Sequence, residues 1–208
     1  MPELRHPRAG PDAARRGAAG PQRRADRPRA EVVDRRAGAQ PRGTGGPAGV
    51  TATSSAPLLV FGWGNASRGD DALGPLFIER LGALAEADPE VGGRIEFLDD
   101  YQLQVEHALD LVGRERVLFV DASLTCSAPF EVTTLAPARD VTFTTHAMSP
   151  TSVMQVYRDL HQAEPPPCTL LAISGTRFEL GEPPSPSALD NLAAAVDWAR
   201  SWLDLGQH

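Results

Sequence analysis

The chain has 208 residues and a net charge of −7, contains no lysine, and carries its charge unevenly. Residues 1–55 contain 11 Arg and five acidic residues, whereas residues 56–208 contain nine Arg and 22 acidic residues. Its two cysteines, Cys126 and Cys168, form no CxxC pair, and no stretch approaches the ~18 apolar residues of a membrane span, which argues against a zinc ribbon, a thiol redox centre and a membrane protein.

The first 55 residues consist mainly of Arg, Ala, Gly and Pro, with few large apolar side chains. Such a segment buries too little apolar surface to offset the entropy of ordering, so we predict a disordered extension over residues 1–55. It has no aromatic residue to stack on bases, and we expect no nucleic-acid partner. No apolar run of the ~7–15 residues of a secretory signal follows its Arg pairs, which predicts a cytoplasmic protein. A start codon assigned too far upstream, with Val50 as the alternative start, is a second explanation for this segment.

Residues 56–208 have the length of one domain. Apolar runs bounded by turn residues predict strands at residues 58–62, 94–98, 117–120, 130–135 and 169–173. Apolar spacing near 3.6 predicts helices at residues 72–87, 105–112, 150–160 and 187–205. The alternation predicts a single α/β domain with a mostly parallel sheet and helices on both faces. The strand at 130–135 follows its predecessor without room for a crossover helix, so we expect it to be an antiparallel edge strand.

Polar side chains fall where the predicted strands lead into helices. Asp71 follows the first strand, Asp121 directly follows the third, and His146 precedes a helix that Ser149 and Pro150 should begin. Each alone has an ordinary structural reading, as a first-turn charge, a strand-end acceptor or a loop histidine. Since the carboxyl ends of parallel strands form the ligand crevice, the three together favour a site for a divalent transition metal with open positions.

Asp70 has two readings. It could cap a helix or favour the positive end of the helix dipole, and it could act as a general base if it faces the crevice.

Three segments resemble the nickel-iron hydrogenase maturation endopeptidases. They are Gly62-x-Gly64-Asn65-x-x-x-Gly69-Asp70-Asp71-x-x-Gly74-Pro75, Val120-Asp121-Ala122 and Thr144-Thr145-His146-x-Met148. The resemblance covers residues 56–208 and implies a twisted five-stranded sheet and a hydrolase classed as an aspartyl-type endopeptidase. Such an enzyme removes the carboxy-terminal extension from the precursor of the hydrogenase large subunit after nickel insertion. It also implies that Asp71, Asp121 and His146 are the catalytic and nickel-contacting residues, with nickel supplied by the bound substrate.

The loop after the second predicted strand departs from the pattern of many members. Those members have Asp-Gly-Gly-Thr, whereas this chain reads Asp99-Asp100-Tyr101-Gln102-Leu103-Gln104. The Gln-Leu variant resembles proteases that serve bidirectional, NAD(P)-linked hydrogenases. We therefore predict that Gln102 and Leu103, together with Asp70, take part in substrate recognition. A second departure is Thr-Thr-His at residues 144–146, where some relatives have Ser-Pro-His.

Two other classes of function stay open. A nucleotide-binding domain would use Gly62 and Gly64 to approach a pyrophosphate, but Ser67 stands where GxGxxG has its third glycine, and Asp70 and Asp71 would repel phosphate. A non-catalytic metallochaperone would dock on an immature hydrogenase through the same loops and leave proteolysis to another protein.

The sequence offers little for a nucleophilic protease. Ser67 lacks a G-x-S-x-G elbow. Cys126 follows Asp121 on the same predicted loop, and we expect it to be an ordinary loop residue because nothing nearby is positive enough to lower its pKa.

Overall fold

The computed structural model describes residues 55–139 and 148–203, which all belong to one compact unit, Gly49–His208. The predicted disorder of residues 1–55 therefore concerns residues that, except for Ser55, lie outside the described ranges. The same is true of His146 and its neighbours at 140–147.

The centre of the domain is a five-stranded sheet. Its strands are β1 (Leu58–Trp63), β2 (Ile95–Asp100), β3 (Arg116–Ser123), β4 (Phe130–Thr134) and β5 (Cys168–Ser174). The order across the sheet is β2-β1-β3-β5-β4, with every pairing parallel except that of β4 with β5. The predicted antiparallel edge strand is confirmed. It pairs with β5 because β3 already has β1 and β5 on its two sides.

Helices cover the connections between the strands. The α-helices are α1 (Leu73–Glu86), α2 (Pro89–Gly92), α3 (Pro150–His161) and α4 (Pro186–Trp202), and two 3-10 helices span Gly69–Ala72 and Val105–Leu111. Ser149 caps α3 by accepting from the Ser152 amide at 3.2 Å, with Pro150 in the first turn, as the sequence predicts. The segment predicted as a helix at 105–112 forms the tighter 3-10 type, and the short α2 was not predicted.

Strand residues point alternately to the two faces of the sheet and build two apolar layers. On one face, Val60, Leu118 and Leu171 pack in a layer with residues of α1 and α4. On the other, Phe61 and Phe119 pack in a layer with residues of the second 3-10 helix and α3. Because both faces are covered, the central strands are apolar at nearly every position, and the predicted two-sided α/β fold is confirmed. In the part of the chain described, no helix is long and apolar enough to cross a membrane.

The four parallel strands end on the same side of the sheet, at Trp63, Asp100, Ser123 and Ser174. We call this side the carboxyl edge. In open parallel sheets it is where ligands bind.

Candidate functional site

The connection from β1 to α1 is shaped by close backbone contact. Gly64 has φ +140°, and a Cβ there would lie 2.0 Å from the main-chain oxygen of Asp71, so only glycine fits. The Gly64 amide also donates to the Asp100 carbonyl at 3.1 Å, which ties the connection to the end of β2. At the next residue, the Asn65 amide donates to Asp71 Oδ2 at 3.0 Å. These contacts fix the partly exposed Asp71 carboxylate at the carboxyl edge.

Asp121 occupies the carboxyl end of β3, beside β1 in the sheet, and its side chain is partly exposed. Its Oδ1 accepts from the Ala122 amide at 2.8 Å. Burial raises the pKa of the Asp121 carboxyl to about 7; the Ala122 amide acts in the opposite direction, and the Asp71 carboxylate raises the pKa further. The charge of Asp71 thus acts on the carboxyl of Asp121, and the grouping of the two with His146 in one site stays a prediction.

The donor chemistry of this carboxylate pair fits a cation. Two carboxyl groups that repel each other in a partly buried site become more favourable when a divalent ion lies between them, and carboxylate oxygens are ordinary ligands for such ions. Across residues 55–139 and 148–203, no group of three or more His, Cys, Asp or Glu side chains is arranged to hold a metal. His146, the third predicted ligand, lies outside these ranges, so its role stays a prediction. The described chain resumes at Met148, whose amide donates to the carbonyl of Leu103, just after β2, at 3.2 Å.

Asp70 is fully buried. Its Oδ2 accepts from the Thr176 and Arg177 amides at 2.7 and 2.9 Å and from Ser185 Oγ at 3.0 Å, and its Oδ1 accepts from the Ser185 amide at 2.6 Å. Burial acts to raise the pKa of Asp70, but these hydrogen bonds outweigh it and hold the pKa below its ordinary value.

This placement does not fit the predicted substrate contact or a general base at Asp70. The side chain instead joins the β1–α1 connection to the β5–α4 connection and to Ser185, the N-cap of α4. Of the two structural readings of Asp70, the cap is absent, because the 3-10 turn at Gly69–Ala72 has no side-chain cap, whereas Asp70 does lie in the first turn of that helix.

The two residues predicted to read the substrate after β2 differ in exposure. Leu103 is 1% exposed and packs in the apolar layer with Phe61 and Val153, so its side chain has no surface to offer a substrate. The cause is its position just before the second 3-10 helix, whose buried residues Ala108 and Leu111 belong to the same apolar layer. Gln102 is partly exposed, and its role in recognition stays a prediction.

Sequence reasoning missed the histidine that orders this loop. His107 is almost fully buried; its Nδ1 accepts from the Gln104 amide at 2.9 Å, and its Nε2 lies 3.3 Å from Asp100 Oδ2. Its ring also meets Phe61 edge-on, with centroids 4.7 Å apart. The available signal was the spacing of Gln104 and His107, which form a reciprocal capping box at the second 3-10 helix.

The cysteines have structural surroundings. Cys126 Sγ donates to the Ala172 carbonyl at 3.4 Å, which agrees with its reading as a loop residue. Burial raises the pKa of the Cys168 thiol to about 12, so this thiol stays protonated at neutral pH.

The fold defines a class: an α/β sandwich with a mostly parallel sheet, in which Asp71 lies on the connection after β1 and Asp121 near the carboxyl end of β3. Solved structures with the same fold include the [NiFe] hydrogenase maturation protease HycI from Thermococcus kodakarensis KOD1 (TM-score 0.55, 20% identity, 73% of this chain and 95% of that chain). They also include the hydrogenase maturating endopeptidase HybD from E. coli (0.53, 21%, 71% and 91%). A third is the hydrogenase 2 maturation peptidase from Thaumarchaeota archaeon SCGC_AB-539-E09 (0.52, 22%, 72% and 99%).

No family model matches this chain, and none of the curated proteins matches it in sequence. The likeness to the three solved structures, at 20–22% identity, shows a shared fold. The chain spans nearly the whole length of each of these proteins.

Proposed function

We propose that this protein is an endopeptidase that removes the carboxy-terminal extension from the nickel-loaded large subunit of a nickel-iron hydrogenase. Asp71, Asp121 and His146 are the proposed catalytic and nickel-contacting residues. The observation that carries the proposal is the Asp71–Asp121 pair at the carboxyl edge of a fold shared with proteins described as hydrogenase maturation proteases. The partner is the precursor of the large subunit.

In this proposal nickel belongs to the substrate, and the carboxylate pair detects it. A precursor without metal leaves Asp71 and Asp121 facing each other without a cation, which is unfavourable for like charges in a partly buried site. A precursor that carries nickel removes that penalty, because the two carboxylates complete the coordination of its ion. Specificity then arises as a difference in affinity between the two forms of the same client.

The reaction is the addition of water to the scissile carbonyl, followed by breakage of the C–N bond and protonation of the leaving amine. Nickel held by the client supplies Lewis-acid chemistry, which can polarise that carbonyl or lower the pKa of a bound water. The protein's own contribution is orientation: the Asn65 amide fixes Asp71 Oδ2, and the Ala122 amide fixes Asp121 Oδ1. Fixed carboxylates avoid reorganisation during the reaction.

We further propose that the client belongs to the bidirectional, NAD(P)-linked type of hydrogenase. The support is the Gln102-Leu103 sequence after β2. Because Leu103 is buried, the side chains of this loop that can contact a client are those of Tyr101, Gln102 and Gln104.

The test is incubation of the purified chain with nickel-loaded precursor, followed by mass spectrometry. We expect the precursor to lose the mass of its extension and the nickel-free precursor to stay intact. A metallochaperone would leave both masses unchanged, and a nucleotide-binding protein would carry nucleotide through purification. Ready cleavage of nickel-free precursor would refute the proposal that the protein detects nickel in its client.

Three variants and one control assign the residues. Asp71→Asn, Asp121→Asn and His146→Ala should each abolish processing while the circular dichroism spectrum stays that of the wild type. Asp99→Asn is the control, because Asp99 is an exposed carboxylate of β2 at the same edge and should process normally. Normal peptide release by one of the three variants would exclude that residue from the mechanism.

A further inference from the structure

The most exposed large apolar side chains of the described residues share one side of the domain. Leu180 is 76% exposed, Leu124 is 68% exposed and Tyr101 is 62% exposed. Tyr101 directly follows β2, Leu124 directly follows β3, and Leu180 lies between β5 and α4. All three therefore lie on connections that leave the carboxyl edge. We call them the apolar rim.

The apolar rim is continuous with the loop that carries Asp71. Asn65, whose amide holds Asp71, also donates from Nδ2 to Tyr101 Oη at 3.3 Å. On the other side, the amide of Gly181, next to Leu180, donates to the Ser67 carbonyl at 2.7 Å. In the sheet, β2 and β5 lie on either side of β1 and β3, which lead to the carboxylate pair. The rim thus flanks that pair.

Local hydrogen bonds hold the rim segments in place. Around Leu124, Ser123 Oγ accepts from the Thr125 and Cys126 amides, each at 3.2 Å. Near Leu180, Arg68 Nε donates to the Phe178 carbonyl at 2.8 Å. A contact surface that is already ordered loses less conformational entropy when a partner binds.

We propose that the apolar rim docks the folded part of the hydrogenase large subunit around the base of its extension. This inference rests on the proposed function. A folded client that delivers its scissile bond to Asp71 and Asp121 must approach between the strands that carry the rim. Exposed apolar side chains on the connections around a site are placed to contact a protein that binds there.

The charge next to the rim indicates the chemistry of the partner. Glu179 and Glu182 are exposed on the connection that carries Leu180, and so is Arg177, while Arg68 is exposed on the connection after β1. A border with charges of both signs offers no uniformly basic surface to an anionic membrane and is typical of the polar edge of a protein contact surface.

The experiment compares a rim variant with an exposure-matched control. The rim variant is Leu124→Ser/Leu180→Ser in the full chain. The control is Leu160→Ser, because Leu160 is 60% exposed but lies in the last turn of α3, which runs from the carboxyl edge back toward the start of β5. Steady-state cleavage of the nickel-loaded precursor, direct binding of the precursor and the thermal midpoint are measured for each protein.

We expect the rim variant to raise KM, and the Kd for the precursor, at least about tenfold, with kcat and thermal midpoint unchanged, since it loses apolar contact made equally in ground and transition states. The control should match the wild type. An unchanged KM and Kd in the rim variant, or an equal rise in the control, would overturn the docking inference while wild-type cleavage upholds the proposed function. A wild-type protein that binds the precursor but never cuts it would refute the proposed function, and its Kd would still test the rim.

Two further readouts identify a different occupant. Sedimentation of the wild type as a dimer, with the rim variant as a monomer, would assign the rim to a second copy of this chain. Binding of the wild type to vesicles of anionic lipid, lost in the rim variant, would assign it to a membrane. Either result would refute docking of the client at the rim.

Discussion

Replacement of Asp70 by asparagine isolates the contribution of one buried carboxylate to the stability of the fold. The best orientation of the amide keeps its oxygen at Oδ2, where Thr176, Arg177 and Ser185 Oγ donate, and turns its NH₂ toward the Ser185 amide. In the variant, the three hydrogen bonds to the Oδ2 position therefore lose the contribution of the carboxylate charge. In addition, the buried Ser185 amide N–H faces another donor instead of an acceptor. An unsatisfied buried donor costs about 1–3 kcal/mol, and charge adds about 1 kcal/mol to a hydrogen bond. We expect a loss of about 4–6 kcal/mol in the free energy of unfolding.

The measurement is urea denaturation followed by tryptophan fluorescence. Asp71→Asn is the matched control, because this neighbouring carboxylate is partly exposed and accepts a hydrogen bond from the Asn65 amide at 3.0 Å. That control should lose less than about 1 kcal/mol. Equal losses in the two variants, or a loss below about 1 kcal/mol in Asp70→Asn, would refute the reasoning.

The pH dependence gives the same prediction a second check. The folded state holds the pKa of Asp70 below its unfolded value, against the effect of burial, so ionised Asp70 stabilises the fold. That stability is present above the unfolded pKa of about 3.9 and is lost as pH falls through the folded pKa. The gap between wild type and Asp70→Asn should therefore be constant above about pH 5 and narrow below about pH 4. A gap that widens in acid would contradict the assigned sign.

Three further perturbations test the site and the fold. Burial and the Asp71 charge raise the pKa of Asp121 to about 7, so the free energy of unfolding of the wild type should fall as pH rises from about 4 to 7. In urea titrations without metal, Asp121→Asn should become more stable relative to the wild type over that range. Gly64→Ala should unfold at much lower urea concentration, because its Cβ would meet the Asp71 carbonyl, whereas Gly82→Ala, with nothing within 4 Å, should gain about 0.5–1 kcal/mol. Ser149→Ala should lose about 1 kcal/mol, because the Ser152 amide loses its cap acceptor.

The sheet and its main helices could be predicted because their sequence signals are local. The strands that become β1 and β3 are apolar at nearly every position, which indicates burial on both faces. The start of α3 follows from Ser149 and Pro150 alone. The start of α4 has the same signal in Ser185 and Pro186, although the sequence prediction began this helix one residue later, at residue 187.

The features of the site that could not be predicted from the sequence depend on contacts between residues far apart in the chain. Asp70 and Asp71 are adjacent and chemically identical, and their roles differ because the partners of Asp70 lie 106 to 115 residues away. Nothing local distinguishes the buried carboxylate from the exposed one. Leu103 is the reverse case: its apolar side chain predicts burial on its own, and reading it as part of a recognition motif assigned it to the surface.

The hydrogen bonds of Asp70 also bear on when the carboxyl edge can form during synthesis. The ribosome makes the β1–α1 connection first, and the partners of Asp70 at Thr176, Arg177 and Ser185 are added 106 to 115 residues later. A nascent chain that ends before these residues has the β1–α1 connection without the hydrogen bonds of Asp70. The carboxyl edge can therefore be completed only after Ser185 has left the exit tunnel, so nascent chains that end before this residue lack the finished edge.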